Sequence, residues 1–285
     1  MIDFLQKFIN LLLFGNFWIA ACAVAMTWQT EYLLYGSFSW TPLTSFISLA
    51  TLFLYAVHRI VGLEKVRPFL KKYRYSIIYR FRRHIQVYAV IGGVGAFYFF
   101  WKLSVANQLL LVIPAILSLG YVLPIMRGKK RFRDFNYLKI FLIAIVWSVI
   151  TVVMPILEHS QKFDFSHLSI VFERMLFIFA ITLPFDIRDL QIDAHIDVKT
   201  IPTTIGITKT KWLAYGCLWM SFLLAIFAVI NEWYPQKAIL GFGISVVLTA
   251  LLIERCDRTD KDYFFTGLMD GTMILQAVLV WISTV

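Results

Sequence analysis

Leu183-Pro184-Phe185-Asp186-Ile187-Arg188-Asp189-Leu190-Gln191-Ile192-Asp193-Ala194-His195-Ile196-Asp197-Val198-Lys199-Thr200-Ile201-Pro202 closes a long apolar run and sets four aspartates three, four and four residues apart. At about 100° per residue, Asp186, Asp189, Asp193 and Asp197 fall within roughly 80° of one another if the segment is helical, with Arg188 on the other side. Like charges so spaced repel and weaken a helix unless something positive lies against them. Oxygen-only ligands suit a hard cation, and Mg2+ held by a few carboxylates completes its shell from water and a phosphate group. The plainer alternative is a solvated acidic loop offsetting Lys199, Lys209 and Lys211. Regular spacing and the turn-forming tail Thr200-Ile201-Pro202-Thr203-Thr204-Ile205-Gly206 weigh against it.

On either side of this stretch the chain is strongly apolar. Of its 285 residues 60% are hydrophobic, 17% aromatic and only 15% charged, whereas charge makes up about a quarter of a soluble domain. We read it as an all-α polytopic membrane protein. A span needs roughly 20 mostly apolar residues, and nine transmembrane helices are expected at 14–35, 42–61, 85–101, 105–126, 138–157, 168–185, 212–231, 237–254 and 263–284. Residues 1–13 place apolar side chains at helical spacing and read as an amphipathic helix lying in the interface. No linker or low-complexity tract divides the chain, so 1–285 is a single domain, with 58–84 and 186–211 as loops capping one side.

The charges fix the orientation expected. On one side fall Lys7, nine basic residues in 59–83, six in 127–139, four in 188–211 and three in 255–261; Lys102, Lys162, Arg174 and Lys237 fall on the other. The positive-inside rule makes the basic side cytoplasmic, with the N-terminus inside and the C-terminus outside. The net charge of +10 therefore marks a membrane face and gives no reason to expect nucleic acid. Acids follow no such rule, and their excess on the same side needs another cause.

That cause is suggested by a resemblance. Asp186, Asp189 and Asp193, followed by Lys199-Thr200-Ile201-Pro202, resemble the second aspartate-rich motif of the UbiA-type membrane prenyltransferases, DxxDxxxD with a small residue, a basic residue, Thr and Pro behind it. Asp197 stands where that family usually has Gly. Leu119-Gly120-Tyr121-Val122-Leu123-Pro124-Ile125-Met126-Arg127, with Gly128-Lys129-Lys130-Arg131 after it, is similar to the family's Tyr-x-x-Pro-then-basic signature behind span four. The resemblance extends to the nine spans and to the cytoplasmic placement of the motif. It implies an enzyme that moves an isoprenyl chain from a polyprenyl diphosphate to a hydrophobic, aromatic or lipid acceptor, with Mg2+ neutralising the leaving group. Asp186, Asp189 and Asp193 would be catalytic and, with Asp197, metal ligands. His58, Arg59, Arg127, Lys130, Arg188 and Lys199 would contact the diphosphate.

The first aspartate motif of that family is missing. No aspartate occurs between Asp3 and Asp134, and Glu64 is the only carboxylate near the expected place. Two Mg2+ ions are implied by the resemblance, and the second lacks its aspartates here. Either His58, Arg59 and Glu64 replace them, with Arg59 gripping phosphate oxygens in a bidentate fork, or the chain keeps the fold as a non-catalytic lipid-binding or scaffolding subunit with a protein partner. The basic, Tyr-rich run 71–84 fits lipid headgroups, although Arg80, Arg82 or Arg83 could reach a diphosphate. A transporter is disfavoured by the lack of paired broken helices.

Smaller features carry less. Gly92-Gly93-Val94-Gly95 reads as a close-packing surface, not a phosphate loop. Pro114, Pro155 and Pro184 are expected at kinks or helix ends. Asp270 and Gln276 are polar groups inside a span, where an ionisable residue is either a site candidate or one side of a helix–helix hydrogen bond. Cys22, Cys217 and Cys256 have no spacing that implies a disulfide or zinc, and Cys22 reads as a small residue inside the first span, not a lipoprotein cleavage site. The protein is expected in the membrane, the inner membrane if bacterial, with its site facing the cytoplasm.

Overall fold

A computed structural model describes residues 2–62, 79, 81–124, 131–160, 163–164, 166–195 and 198–285, and among them there is no strand. The helices are α1 (Ile2–Phe14), α2 (Phe17–Tyr35), α3 (Pro42–Gly62), α4 (Arg82–Phe100), α5 (Val105–Leu110), α6 (Val112–Val122), α7 (Leu138–Ser148), α8 (Met154–Ser160), α9 (Ser166–Arg188), α10 (Leu190–His195), α11 (Ile201–Ile205), α12 (Ile207–Ile230), α13 (Ala238–Arg255) and α14 (Asp270–Thr284). Seven helical stretches are long and apolar enough to cross a membrane: Pro42–Gly62, Val105–Val122, Leu138–His159, Ser166–Arg188, Ile207–Ile230, Ala238–Arg255 and Tyr263–Thr284. An eighth is reached if α1 and α2, which meet at 62°, count as one bent span. The sequence led us to expect nine. The remaining run lies on α4, whose first turn, Arg82-Arg83-His84, is polar.

The chain bends between α1 and α2 because Gly15 and Asn16 interrupt the helix, with Asn16 in the left-handed region at φ 69°. Asn is among the few side chains that adopt that conformation at small cost. The helices then form a ring in which neighbours are α2, α3, α6, α7 with α8, α9, α12, α13 and α14, and α14 closes back onto α2. In contrast, α4 packs on the outer side of α3 and contributes no wall to the central cavity. That contact depends on Gly92: a Cβ there would stand 2.9 Å from the Leu49 carbonyl oxygen and 3.1 Å from the Phe53 nitrogen. The glycine cluster is thus a packing surface. The other face of α4 exposes Val87, Val90, Ile91, Val94, Phe97 and Trp101, as a lipid-contacting helix requires.

Two π-helical turns interrupt the ring, at Val149–Val153 and Tyr263–Met269. The first lies just ahead of Pro155, which has no N–H to offer the Thr151 carbonyl four residues back. The Thr30 hydroxyl supplies it instead, at 2.8 Å. Around this point sits the one guanidinium that the charge distribution assigns to the far face and the structure does not. Arg174 is fully buried in α9. It donates to the Met26 carbonyl at 2.9 Å, the Thr151 hydroxyl at 3.1 Å and the Thr30 hydroxyl at 3.4 Å. Its position is inside the apolar run, so it serves packing between α2, the π turn and α9 and marks no surface.

Candidate functional site

Inside the ring lies a cavity of about 260 Å³. Its walls are Ile19 and Ala23 of α2, Thr51, Leu54 and Tyr55 of α3, Leu117 and Tyr121 of α6, Leu142, Val146 and Trp147 of α7, and Thr182 and Phe185 of α9. One end is charged: His58, Arg59, Arg133, Lys139, Arg188 and Asp189 all reach it. Asp270 lines the wall from α14. Asp262 lies 3.7 Å from Arg188, and eight residues of helix separate it from Asp270, a depth of roughly 10 Å.

The quoted aspartates are brought together, but not as four free carboxylates. α9 carries Asp186 in its last turn, breaks at Asp189 and resumes as α10 with Asp193, whose N–H reaches the Asp189 carbonyl at 2.9 Å. Asp186 and Asp193 are both nearly fully buried and both point at Lys139, whose Nζ is 2.6 Å from Asp186 Oδ1 and 3.7 Å from Asp193 Oδ2. Neither carboxylate lines the cavity; Lys139 and Asp189 do. Burial pushes the Asp193 carboxyl above its ordinary value, the neighbouring Asp189 and Asp186 add to this, and Lys139 pulls it back. Asp189 is gripped by Arg188 through two hydrogen bonds of 2.8 and 3.0 Å. Arg188 therefore does not project to the opposite side, as helical geometry predicts. The helix ends on it, and its guanidinium folds back over the rings of Phe185 and Phe265 at 5.1 and 5.0 Å.

At the charged end, beside His58 near the end of α3, lies a further cation, Arg133. Arg133 Nη1 lies 2.6 Å from His58 Nε2. A guanidinium has only donors, so this nitrogen of His58 accepts and the ring is the neutral tautomer protonated at Nδ1. Arg133 also covers the Tyr121 ring at 5.3 Å. Burial by itself would lower the Arg133 pKa, but Tyr121 and the carboxylates of Asp193, Asp189 and Asp134 raise it above its ordinary value.

Arg59 lines the cavity, yet its guanidinium donates to the carbonyls of Phe14 at 2.6 Å and Leu13 at 3.1 Å. It caps the C-terminal carbonyls of α1, which a helix end leaves without partners. Lys199 is exposed, is not on the cavity wall, and uses its backbone N–H on Asn136 at 2.9 Å. Arg127, Lys130, Asp197 and Glu64 lie outside the described residues.

Two further residues matter that the sequence did not single out. Lys139 counts there only as one of the basic residues of 127–139, and Arg133 as another. The available signal was position: Lys139 begins an apolar run instead of sitting in the loop before it, and a lysine there either snorkels or finds a buried acid.

An α-helical ring around an apolar cavity with one charged mouth defines a multi-pass integral membrane protein that can hold an amphiphile by an anionic head. The chain belongs to the UbiA prenyltransferase family, whose family model matches residues 80–275. No curated protein sequence matches it. Among solved structures it is similar to an apo UbiA homologue from Aeropyrum pernix K1, with a TM-score of 0.70 at 13% identity over 94% of this chain and 99% of that one. A UbiA homologue from Archaeoglobus fulgidus bound to GPP and Mg2+ gives a TM-score of 0.66 at 11% identity over 96% and 99%. A structure described for digeranylgeranylglyceryl phosphate synthase gives 0.60 at 11% identity over 98% and 99%. At these identities the likeness is one of fold.

The described residues do not fit a pair of Mg2+ ions. Among the described residues no group of three His, Cys, Asp or Glu side chains could hold a metal. The three carboxylates that remain from the expected set already face protein cations.

Proposed function

We propose that this protein binds an isoprenyl diphosphate with its head at the charged mouth and its chain in the apolar cavity, and transfers the chain to a hydrophobic acceptor within the membrane. One observation carries the reading: Arg133, Lys139 and Arg188 all line one cavity whose remaining walls are mostly apolar and aromatic. A diphosphate needs cations and N–H donors at its head, and an isoprenyl chain needs apolar walls. In a UbiA homologue from Archaeoglobus fulgidus, Mg2+ accompanies bound GPP; in this chain the positive charge on the leaving group would come from Arg133, Lys139 and Arg188.

The chemistry follows from the same division. The bond between C1 of the isoprenyl chain and the diphosphate oxygen breaks, the negative charge that develops on the diphosphate is met by the guanidinium and ammonium groups, and the acceptor forms a new bond to C1 while losing a proton. Preorganised cations in a site shielded from water stabilise such a leaving group. Tyr55, one turn deeper on α3 than His58 and Arg59, and Trp147 present aromatic faces where C1 would lie, a placement that suits a carbon cation. Asp270, deeper still, would take the acceptor proton. The site faces the cytoplasm in this proposal, all nine runs cross, and residues 1–13 lie in the interface.

The test is transfer from labelled geranylgeranyl diphosphate by purified protein supplied with a membrane lipid extract. Wild type should convert label into a more apolar lipid with release of diphosphate, and Arg133→Ala and Asp189→Asn should each lower the rate at least about tenfold, the usual cost of one charged transition-state contact. Label that remains in the diphosphate, with and without Mg2+, overturns the transferase reading. A non-catalytic lipid-binding subunit would then remain, and it predicts binding of the diphosphate without turnover.

A further inference from the structure

In the position where the fold would bring a divalent ion to Asp186 and Asp193, this chain has placed an ammonium of its own. We infer that Lys139 is a resident substitute for the metal, and that the diphosphate head is held by Lys139, Arg133 and Arg188 with no requirement for Mg2+. The inference rests on the diphosphate-binding reading above and narrows it.

Three observations support it together. Lys139 Nζ is 2.6 Å from Asp186 and 3.7 Å from Asp193, so one ammonium bridges two carboxylates as a metal would. The side chains are 9%, 2% and 5% exposed, so the pair is nearly buried, and of these three residues only Lys139 lines the cavity. For a divalent ion to reach those oxygens, the lysine must leave a buried ion pair, which strands charge in an apolar surrounding.

The second carboxylate position is closed in the same way. Asp189 receives two hydrogen bonds from Arg188, whose guanidinium is also 3.7 Å from Asp262 and rests on two phenylalanine rings. The third observation lies near the end of α3, where the sequence lacks the first motif's aspartates: Arg133 reaches His58 and covers the Tyr121 ring. Among the described residues, the carboxylates of the second motif each face a protein cation, and a further cation, Arg133, lies beside His58. A guanidinium offers phosphate a planar fork of donors and an ammonium offers a point charge. Between them they supply the positive charge that two hydrated ions would bring.

The experiment measures equilibrium binding of labelled geranylgeranyl diphosphate to the full-length protein in lipid nanodiscs, in excess EDTA and in excess Mg2+, alongside Mn2+ binding followed by electron paramagnetic resonance. Wild type should bind the diphosphate within about threefold equally in EDTA and in Mg2+, and should bind no Mn2+ at this site. Lys139→Gln, which frees Asp186 and Asp193, should lose at least about tenfold in affinity in EDTA, recover when Mg2+ is added, and gain a bound Mn2+. Lys139→Arg, which keeps the charge, should still bind in EDTA and serves where Lys139→Gln does not fold. Wild-type binding that appears only with Mg2+, or a Mn2+ ion bound to wild type and lost in Asp193→Asn, overturns the inference and leaves the diphosphate reading standing. Absence of binding in both conditions overturns both.

Discussion

Lys139 and Arg174 show how differently one positive residue behaves when it is drawn into an apolar bundle. Each is buried and each is held by acceptors from other helices, but Lys139 has carboxylates to itself while Arg174 has carbonyl and hydroxyl oxygens of α2 and the π turn. Arg174 does not line the cavity, so its role is to tie three helices together where Pro155 has opened the backbone. Arg174→Met should therefore lower stability by about 3 kcal/mol, since it leaves oxygens of α2 and the π turn without their charged donor in a dry place. The check is thermal unfolding in detergent, with Arg174→Lys as an intermediate case. An unchanged melting temperature for Arg174→Met would contradict this role. Neither residue's surroundings are legible in the chain itself. A lysine at the edge of an apolar run and an arginine within one look alike until the partner helices are known, because both partner sets come from positions far away in sequence.

Among the helices, the short connections at the charged end carry ion pairs that fix how neighbours meet. Lys211, at the start of α12, donates to the Glu254 carbonyl and to Asp257 Oδ1, both at 2.7 Å, and so clamps the end of α13. Burial by itself would raise the Asp257 carboxyl, but the hydrogen bond and charge of Lys211 hold it below its ordinary 3.8. A carboxylate depressed in the folded state adds stability that is complete above the ordinary carboxylate range and is lost as pH falls through the depressed value. The melting temperature in detergent should thus fall on acidification below about pH 4. Asp257→Asn should lower stability at neutral pH by no more than about 1 kcal/mol, because the carboxylate is partly exposed, and should flatten the acid limb. An acid limb of the same depth in Asp257→Asn would refute the assignment.

The helices themselves were far more legible than these pairs. Runs of apolar residues as long as a bilayer is thick leave little freedom, so α3, α9 and α12 to α14 lie where the runs predict. Regular spacing likewise places Asp186, Asp189 and Asp193 at one end of the bundle. The missed details are those that spacing cannot carry: the break at Asp189 that sends Arg188 back over the cavity, and the bend at Gly15 and Asn16 that brings the carbonyls of α1 to Arg59.

Taken as a whole, the molecule keeps the fold of its family. Its relatives are matched over nearly their full length at 11–13% identity, which is what a fold held by apolar packing tolerates when side chains drift in concert. In the proposed reading the occupant of the cavity is an amphiphile whose anionic head meets Arg133, Lys139 and Arg188 and whose chain fills the space between α2, α3, α6, α7 and α9. The measurement that tests this most directly is photo-crosslinking with a geranylgeranyl diphosphate analogue carrying a diazirine in its chain, followed by peptide mapping. Adducts should fall on cavity residues such as Leu54, Leu117, Val146 and Trp147, and should disappear when unlabelled diphosphate competes or when Arg133 and Lys139 are both replaced by Gln. Adducts confined to outward-facing residues such as Val90, Val94 and Phe97, or adducts indifferent to competition, would contradict it.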